Sequence, residues 1–431
     1  MLTKEERQQI IELIHREVVP AMGCTEPMAV SLAVAKATET LGHTPTSIEV
    51  LLSANILKNA MGVGIPGTGM VGLPIAIALG ALIGKSEYGL EVLRDVTPET
   101  VAHGKEYMAQ DRIKIGLKEA CPDKLYVEAR VTDGESSASA IIAHDHNHFI
   151  RVTKGEEVLL DTPLSPKGHE HDEQNSAEEL NLRKVYDFAT SSPIEELEFI
   201  QEARRLNENA AKEALKGNYG HALGKTLSRP LGRGIMGDSM FSHILSATSS
   251  ACDARMAGAM IPVMSNSGSG NQGIAATMPV VVFAEENHNT DEELTRALIL
   301  SHLTAIYIKQ SLGKLSALCG CVVASTGSSC GITYLMGGTY EQVAYSVKNM
   351  IANLAGMVCD GAKPSCALKV SSGVSTAVLS AMLAIQNRFV TNVEGLIEDD
   401  VDRCIHNLTR IGADGMNETD RMVLDIMTHK K

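Results

Sequence analysis

The chain contains 431 residues and has a formal net charge of −14, with 44% hydrophobic residues but only 3% aromatic ones. This length predicts more than one domain, and the acidic balance without a basic stripe argues against a nucleic-acid partner. The longest apolar run, residues 71–84, is shorter than the roughly 18–20 residues that cross a bilayer. Because the charged N-terminus also lacks a signal-peptide core, we expect a cytoplasmic protein with no membrane partner.

The first elements along the chain are predicted to be helical. Thr3 precedes a segment whose apolar residues recur at helical spacing, which predicts a capped amphipathic helix. The turn "GCTEP" leads into a second helix that starts near Pro27, and "SIEVLLS" predicts a strand. Residues 96–176 change character, because alternating apolar segments separated by polar turns predict strands, followed by a polar linker.

From residue 177 onward the pattern is helical again, in segments rich in small residues that pack closely. Together these segments predict an α+β protein. Residues 1–95 and 177–431 are expected to form one mainly helical catalytic domain, and residues 96–176 an inserted strand-rich α+β module with its linker. Helices with small apolar faces are also compatible with a homodimer.

The stretch "SNSGSGNQG", residues 265–273, has the glycine spacing of a dinucleotide-binding loop. The same spacing recurs at Gly62, Gly64 and Gly67, so in a chain with 37 glycines the pattern alone is weak. A nucleotide site also needs a crossover helix, which Pro279 is expected to interrupt. The favoured interpretation is a loop that binds a small anion, such as a carboxylate, through N–H groups and Ser and Asn side chains. A structural turn is the main alternative, and a nucleotide loop is the least favoured.

Three histidines alternate in "HDHNH", at His144, His146 and His148. Alternate residues of a strand face the same side, so three imidazoles could converge on a metal ion. The segment lies at an apparent strand–turn–strand junction, however, and is rich in turn residues. A solvated hairpin tip is therefore the preferred interpretation.

The nine cysteines, an odd number, argue against a disulfide framework. Cys359 and Cys366 flank "DGAKPS", a polar loop where a packed hydrophobic side chain is not expected, and thiolates in such loops bind zinc or iron–sulfur clusters. With Cys319 and Cys321 they could supply four ligands to zinc, although the spacing is not that of paired zinc knuckles. Three of them would instead leave one iron of a four-iron cluster open.

Cys24 lies between the end of one predicted helix and the start of the next. A helix N-terminus stabilises a thiolate and so lowers the pKa of a thiol. From these residues alone a buried structural cysteine is the preferred interpretation of Cys24, and a thiolate that acts as a general base is the alternative.

Five motifs in order resemble those of the bacterial and archaeal L-cysteine desulfidase family. They are "GCTEP", "NILKNAMGVGIPGTG", "SNSGSGNQGI", "LCGCVVA…GITYLMGG" and "CDGAKPSCALK". That family is related to the α-chain of iron–sulfur-dependent L-serine dehydratases. The motifs extend from residue 23 to residue 369, so the resemblance covers nearly the whole chain.

The resemblance implies a lyase that converts L-cysteine to pyruvate, ammonia and hydrogen sulfide. It implies an oxygen-sensitive [4Fe-4S] cluster, open to loss in air, and no pyridoxal phosphate. The implied ligands are Cys319, Cys359 and Cys366, with Cys321 as the alternative to Cys319. Cys24 would be the base.

The same resemblance implies a site for a small amino acid. The residues expected around the substrate are Asn55, Lys58, Asn59, Ser267, Ser269 and Asn271. L-Serine is the alternative substrate, because iron accepts a hydroxyl as well as a thiol. The alternatives from other classes are a non-catalytic protein with a four-cysteine zinc site and a dinucleotide-binding oxidoreductase.

Overall fold

The computed structural model describes residues 2–162, 180–313 and 315–430. The predicted polar linker, residues 165–179, lies outside the described residues. The strands are β1 (Pro20–Ala21), β2 (Ser47–Leu52), β3 (Ile113–Leu117), β4 (Tyr126–Thr132), β5 (Ser137–Ala143), β6 (Phe149–Lys154), β7 (Glu157–Asp161) and β8 (Val263–Met264).

The helices connect and surround these strands. In the first half of the chain they are α1 (Lys4–Glu17), α2 (Thr25–Leu41), α3 (Ala54–Ala60), α4 (Leu73–Leu82), α5 (Pro98–Met108), α6 (Leu182–Ser191), α7 (Gln201–Lys216) and α8 (Leu223–Ser228). In the second half they are α9 (Pro230–Met236), α10 (Met240–Met256), α11 (Gly270–Glu286), α12 (Asp291–Leu312), α13 (Gly320–Leu335), α14 (Tyr340–Leu354), α15 (Cys366–Ile385), α16 (Val401–Arg410) and α17 (Asn417–Thr428).

Helix α1 begins as predicted from its capping residue. Thr3 Oγ1 accepts a hydrogen bond from the Glu6 N–H at 3.2 Å, and the Glu6 carboxylate accepts one from the Thr3 N–H at 2.7 Å. This reciprocal pair satisfies two donors that a helix start otherwise leaves open. The apolar stripe of the helix is buried, which confirms the predicted amphipathic pattern.

Six strands form one sheet in the order β3-β2-β4-β5-β6-β7. Strands β2 and β3 pair in parallel, and the other neighbours pair in antiparallel. Helix α2 packs against β4, β5 and β6, and a hydrophobic core joins α2, α3 and α4 to the sheet. The strands of residues 96–176 therefore share a core with earlier elements, and the domain division at residues 95 and 177 stays a prediction.

A second and larger core is made by the helices after residue 180. Helix α13 lies at its centre, in contact with α11, α12, α14 and α15. The contact with α12 is close because α13 places glycine there: a Cβ on Gly331 would lie 2.9 Å from the Ala297 carbonyl oxygen. The mainly helical α+β fold is thus confirmed.

Pro279 does not interrupt a helix, as the sequence suggested, but lies inside α11. A proline there leaves the carbonyl four residues earlier without its helical N–H partner. That carbonyl belongs to Ala275, and the Ser301 hydroxyl of α12 donates to the next one, the Ala276 carbonyl, at 2.7 Å. The local breaker rule fails here, since α11 continues through the proline to Glu286.

Among the described residues, α15 is the one helix that is long and apolar enough to cross a membrane by length and composition. Half of its most apolar window is buried inside the protein. Buried core helices of many proteins meet the same criterion, so the helix gives only weak support for a membrane span.

The close contact between α11 and β8 predicts the cost of adding one methyl group. A Cβ on Gly273 would overlap the Met264 carbonyl oxygen, so we expect Gly273→Ala to lower the free energy of unfolding by about 1–3 kcal/mol or more. The control is Gly234→Ala on exposed α9, where a Cβ meets no atom within 4 Å. That change should stabilise by about 0.5–1 kcal/mol. Equal unfolding midpoints in urea for the two variants would contradict the packing argument.

Candidate active site

Four helices begin at one cavity of about 650 Å³. Cys24, Ser269 and Cys319 are the residues that precede the first turns of α2, α11 and α13, and Cys366 is the first residue of α15. All four residues line the cavity. Because the N-terminus of a helix carries a partial positive charge, the cavity collects four such ends.

The backbone brings Cys319 and Cys359 together although two helices separate them in the chain. The Cys319 N–H donates to the Met357 carbonyl at 2.9 Å, and the Cys359 N–H donates to the Ala317 carbonyl at 2.7 Å. These bonds form an isolated antiparallel bridge between two loops. Cys366 follows after a tight turn, in which its N–H donates to the Lys363 carbonyl at 2.8 Å.

The thiols of this group have different surroundings. Cys321 Sγ is 3.4 Å from Cys319 Sγ, 3.1 Å from Met357 Sδ and 3.4 Å from the Lys369 carbonyl oxygen. Cys321 is thus occupied by protein partners, whereas Cys359 and Cys366 are only partly buried. The hydrogen bond with Cys321 raises the pKa of Cys319, and the one with Cys319 raises the pKa of Cys359; burial adds to both shifts.

The side chains that line the cavity can be compared with the ligands that the implied cluster requires. The described residues contain no group of three or more His, Cys, Asp or Glu side chains arranged to hold a metal ion. Zinc needs four ligands around one centre. A four-iron cluster instead takes each cysteine on a different iron, and so suits thiols on separate segments around a cavity. The thiols of Cys319, Cys359 and Cys366 fit that requirement in chemistry and placement.

Two lysines add positive charge beside these thiols. Lys309 is 7% exposed and lines the cavity, and burial lowers its pKa to about 8 although Cys359 and Cys319 oppose that shift. Lys369 also lines the cavity and forms an ion pair with Asp360. Positive groups near cysteines favour the thiolate form that metal ligation requires.

Cys24 is buried and has two polar neighbours in the cavity. Its Sγ donates to Glu26 Oε2 at 3.2 Å, and Arg255 Nη2 lies 3.7 Å from the same sulfur. Burial raises the pKa of Cys24 most, Glu26 raises it further, and Arg255 lowers it by less. The expected lowering of this pKa by the helix N-terminus is therefore wrong, because desolvation of the thiolate outweighs the helix dipole.

Glu26 links several polar groups of the site. Its carboxylate accepts hydrogen bonds from Cys24 Sγ, from Thr25 Oγ1 at 3.2 Å and from Asn59 Nδ2 at 3.1 Å. Burial raises the pKa of Glu26, but His146 and the hydrogen bonds lower it by more, so that it lies below its ordinary value. The carboxylate is therefore ionised at neutral pH and accepts the hydrogen bond of the thiol.

The hairpin tip predicted for the three histidines is present between β5 and β6, but it is not fully solvated. His144 is exposed and lies 2.5 Å from Asp123, and the rings of His144 and His148 are 6.4 Å apart. His146 is only 7% exposed and lines the cavity, and its Nε2 has no hydrogen-bond partner among the described residues. The sheet thus contributes one imidazole to the site, because the hairpin turns it inward.

The glycine-rich loop also lines the cavity and is held by the N-terminal segment. The Ser265 hydroxyl donates to the Val19 carbonyl at 2.6 Å, and the Ser267 N–H donates to the Glu17 carbonyl at 2.8 Å. Ser267 has a left-handed φ of +48°. The preceding strand, β8, is two residues long and pairs in antiparallel with β1, so the loop does not belong to the βαβ unit of a nucleotide site.

The predicted carboxylate contacts in this loop all line the cavity. Ser267, Ser269 and Asn271 do so together, and Ser269 caps α11 by accepting from the Gln272 N–H at 3.4 Å. Asn271 Oδ1 accepts a hydrogen bond from Arg255 Nη1 at 3.1 Å. The loop that was predicted from the sequence therefore lines the same cavity as the candidate cysteines.

A buried histidine supports the loop from behind. His302 Nδ1 lies 3.1 Å from Asn266 Nδ2, and His302 Nε2 lies 2.9 Å from Thr277 Oγ1. Burial lowers the pKa of His302 to about 3, so the ring is neutral at physiological pH. Asn266 in turn accepts from the Ser267 hydroxyl at 2.9 Å, which links this network to the cavity wall.

The structure separates the three residues that were predicted to orient the substrate. Asn59 lines the cavity and donates to Glu26. Lys58 is buried and forms an ion pair with Asp420 of α17, and Asn55 Oδ1 is buried without a hydrogen-bond partner among the described residues. Neither Lys58 nor Asn55 is among the residues that line the cavity.

Several lining residues were missed from the sequence. They are Glu26, Arg255, Gln272, Lys309 and Lys369. Glu26, Gln272 and Lys369 lie within the quoted motifs, so their polar character was a usable signal. Arg255 and Lys309 occur at the ends of helices with no motif around them, and only the tertiary fold places them in the site.

The fold and the site together define an α+β protein with a thiol-lined cavity at four helix N-termini. The family model of the serine dehydratase alpha chain matches residues 87–425. A UPF0597 protein of Bacteroides thetaiotaomicron is 68% identical over 429 residues, covering 100% of this chain and 99% of the relative. A UPF0597 protein of Porphyromonas gingivalis is 54% identical over 428 residues, covering 99% of each chain. The chain belongs to the serine dehydratase alpha chain family, which confirms the predicted relation to that α-chain.

The buried imidazole predicts how stability depends on pH. Because the folded-state pKa of His302 is about 3, below the ordinary value near 6.5, protons bind the unfolded chain more tightly. The contribution of the neutral His302 ring to the free energy of unfolding is therefore fully present above about pH 6.5. Below that pH it falls by about 1.4 kcal/mol per pH unit. Between pH 6.5 and pH 5, we expect the free energy of unfolding of His302→Gln to fall by about 2 kcal/mol less than that of the wild type.

Unfolding in urea at several pH values measures this slope. His406→Gln, which removes an exposed histidine of α16, is the matched control for the loss of one imidazole. Identical slopes for the wild type and His302→Gln would show that the buried ring does not govern acid stability.

Proposed function

We propose that the chain is an iron–sulfur-dependent lyase that eliminates sulfide from L-cysteine. The observation that carries this proposal is the presence of three kinds of group around one cavity. These are the thiol of Cys24, the Ser and Asn side chains of the loop at residues 267–271, and the thiols of Cys319, Cys359 and Cys366. Membership of the serine dehydratase alpha chain family supports a lyase of the iron–sulfur type.

L-Cysteine is favoured over L-serine on two features of the sequence. The "GCTEP" motif and the short interval between Cys359 and Cys366 resemble L-cysteine desulfidases more than L-serine dehydratases. An L-serine dehydratase of the same mechanism is the second candidate, because the same cavity would accept a hydroxyl in place of the thiol.

Cys24 is the proposed base in the proton transfer, and Glu26 and Arg255 are its polar neighbours. Cys24 Sγ donates a hydrogen bond to Glu26 Oε2, which positions the sulfur in the cavity, and the thiolate form of Cys24 would remove the Cα proton of the substrate. Arg255, 3.7 Å from the sulfur, stabilises the thiolate once it forms. General base catalysis of this kind contributes on the order of 10²–10⁴-fold to the rate.

Cys319, Cys359 and Cys366 would hold the cluster, and Cys321 is less suited because its thiol faces Met357 and a backbone carbonyl. When bound, a four-iron cluster with one iron free of cysteine supplies a Lewis acid for the leaving sulfur. The proposal needs no pyridoxal phosphate.

The reaction balances as a β-elimination. The Cα–H bond and the C–S bond of L-cysteine break, which releases hydrogen sulfide and aminoacrylate. Aminoacrylate tautomerises to the imine, and water hydrolyses the imine to pyruvate and ammonia.

Anaerobic reconstitution with iron and sulfide tests the reaction. We expect about four irons per chain, with pyruvate and sulfide released in equal amounts from L-cysteine and little turnover of L-serine. Cys366→Ser should lose most of the iron, while Cys121→Ser, in the strand-rich part and outside the cavity lining, should keep it. Preference for L-serine would replace the substrate assignment, and binding of one zinc without labile sulfide would refute the lyase.

Replacement of the proposed base should separate catalysis from cluster assembly. We expect Cys24→Ala to reduce kcat about 10²–10⁴-fold and to keep the iron content of the wild type, because Cys24 is not among the ligands. Glu26→Gln should also reduce kcat, because it disturbs the hydrogen bond that positions the Cys24 sulfur. Full activity of Cys24→Ala with an intact cluster would disprove the role of the thiol, whichever substrate is used.

A further inference from the structure

Arg255 is a buried cation without a direct ion pair among the described residues. It lies in the last turn of α10, is 3% exposed, and lines the cavity. The carboxylate whose charge it feels is that of Glu26, which shares the sulfur of Cys24 with it as a neighbour. Because arginine side chains are almost never buried unless they are paired, the guanidinium can take a further anionic partner from outside the chain.

The guanidinium also has hydrogen-bonding capacity to spare. Arginine has five N–H donors, and here Nη1 donates to Asn271 while Nη2 has only the long contact with Cys24. Nε has no partner among the described residues. A carboxylate is the anion whose shape matches this planar fork of donors.

The fold makes room for the guanidinium at the glycine-rich loop. A Cβ on Gly270 would overlap Arg255 Nε, so only glycine allows the side chain to cross the start of α11. This contact explains one glycine of the apparent nucleotide pattern. The loop is shaped around a buried arginine, which in turn is held in place by Asn271.

A buried hydrogen-bond acceptor lies near the start of α11. Gln272 is 4% exposed and lines the cavity, and its Oε1 has no hydrogen-bond partner among the described residues. Gly320 leaves space for this side chain, since a Cβ there would lie 2.9 Å from Gln272 Cδ. The cavity lining therefore includes a guanidinium with a free Nε donor and an amide oxygen without a partner among the described residues.

We propose that Arg255 binds the α-carboxylate of the substrate and that Gln272 Oε1 accepts a hydrogen bond from its α-ammonium group. This pair recognises the zwitterion of a small α-amino acid and holds its Cα beside Cys24, whose sulfur contacts the guanidinium. The inference deepens the proposed function and rests on it for the reaction. The recognition of the carboxylate does not depend on turnover.

Two thiol ligands that each lack one group test the two contacts separately. 3-Mercaptopropionate has the carboxylate without the ammonium, and cysteamine has the ammonium without the carboxylate. Anaerobic calorimetry with the full reconstituted chain measures the Kd of each. We expect Arg255→Gln to weaken the binding of 3-mercaptopropionate at least about tenfold and to leave the Kd of cysteamine unchanged. Gln272→Met should weaken the binding of cysteamine and leave the Kd of 3-mercaptopropionate unchanged.

Arg255→Lys tests the fork geometry and should weaken 3-mercaptopropionate less than Arg255→Gln, because it keeps the charge. The matched control is Arg16→Gln, since Arg16 also lines the cavity but is exposed and paired with Glu17. This control should bind both ligands like the wild type. Iron content and the urea midpoint of each variant report whether it folds.

Equal binding of 3-mercaptopropionate by the wild type and Arg255→Gln would overturn the carboxylate assignment. The same loss for both ligands in Arg255→Gln would also overturn it, since that result indicates general damage to the cavity. A third outcome is that each of the two variants loses only the expected ligand in a protein that eliminates neither L-cysteine nor L-serine. That result would support the amino-acid site and reject only the proposed reaction.

Discussion

The convergence of four helix N-termini on one cavity is the constraint on which the rest of the structure depends. Each helix start presents N–H groups without intrahelical partners and a partial positive charge, and Arg255, Lys309 and Lys369 add three cations. These positive groups lie among the lining carboxylates Glu17, Glu26, Glu91 and Asp145, in a chain whose net charge is −14. Such a cavity can hold thiolates and a carboxylate side by side, although these anions repel each other in water.

Helices can meet at one point only if their contacts are close, and this requirement explains the composition. Gly331 lets α13 approach α12, and Gly273 lets α11 approach the carbonyl of β8. Gly64 of the second apparent nucleotide pattern packs against the backbone of Ala257, directly after α10. Large aromatic side chains would hold these segments apart, so the scarcity of aromatic residues follows from the same packing.

Local patterns were sufficient for most elements of the fold. Alternating apolar residues predicted the strands, and the cap at Thr3 predicted the start of α1, because both signals arise within a few residues. The site was predictable where a motif marks a helix start, as at Ser269 and Cys319. Lys58 shows the limit of this reasoning, since its partner Asp420 is 362 positions away in the chain and removes it from the cavity.

Cys24 shows why the chemistry of a site is harder to predict than its location. The effect of a helix N-terminus on a thiolate is about 0.3–1 kcal/mol at most exposed sites, whereas full burial shifts a pKa by up to about 3–5 units. Burial therefore dominates and raises the pKa of Cys24. The same low-dielectric surroundings strengthen the contacts of its sulfur with Glu26 and Arg255. The reactive state of the thiol is thus set first by burial and then by a carboxylate two residues away and a guanidinium 231 residues away, and of these the burial and the guanidinium depend on the tertiary fold.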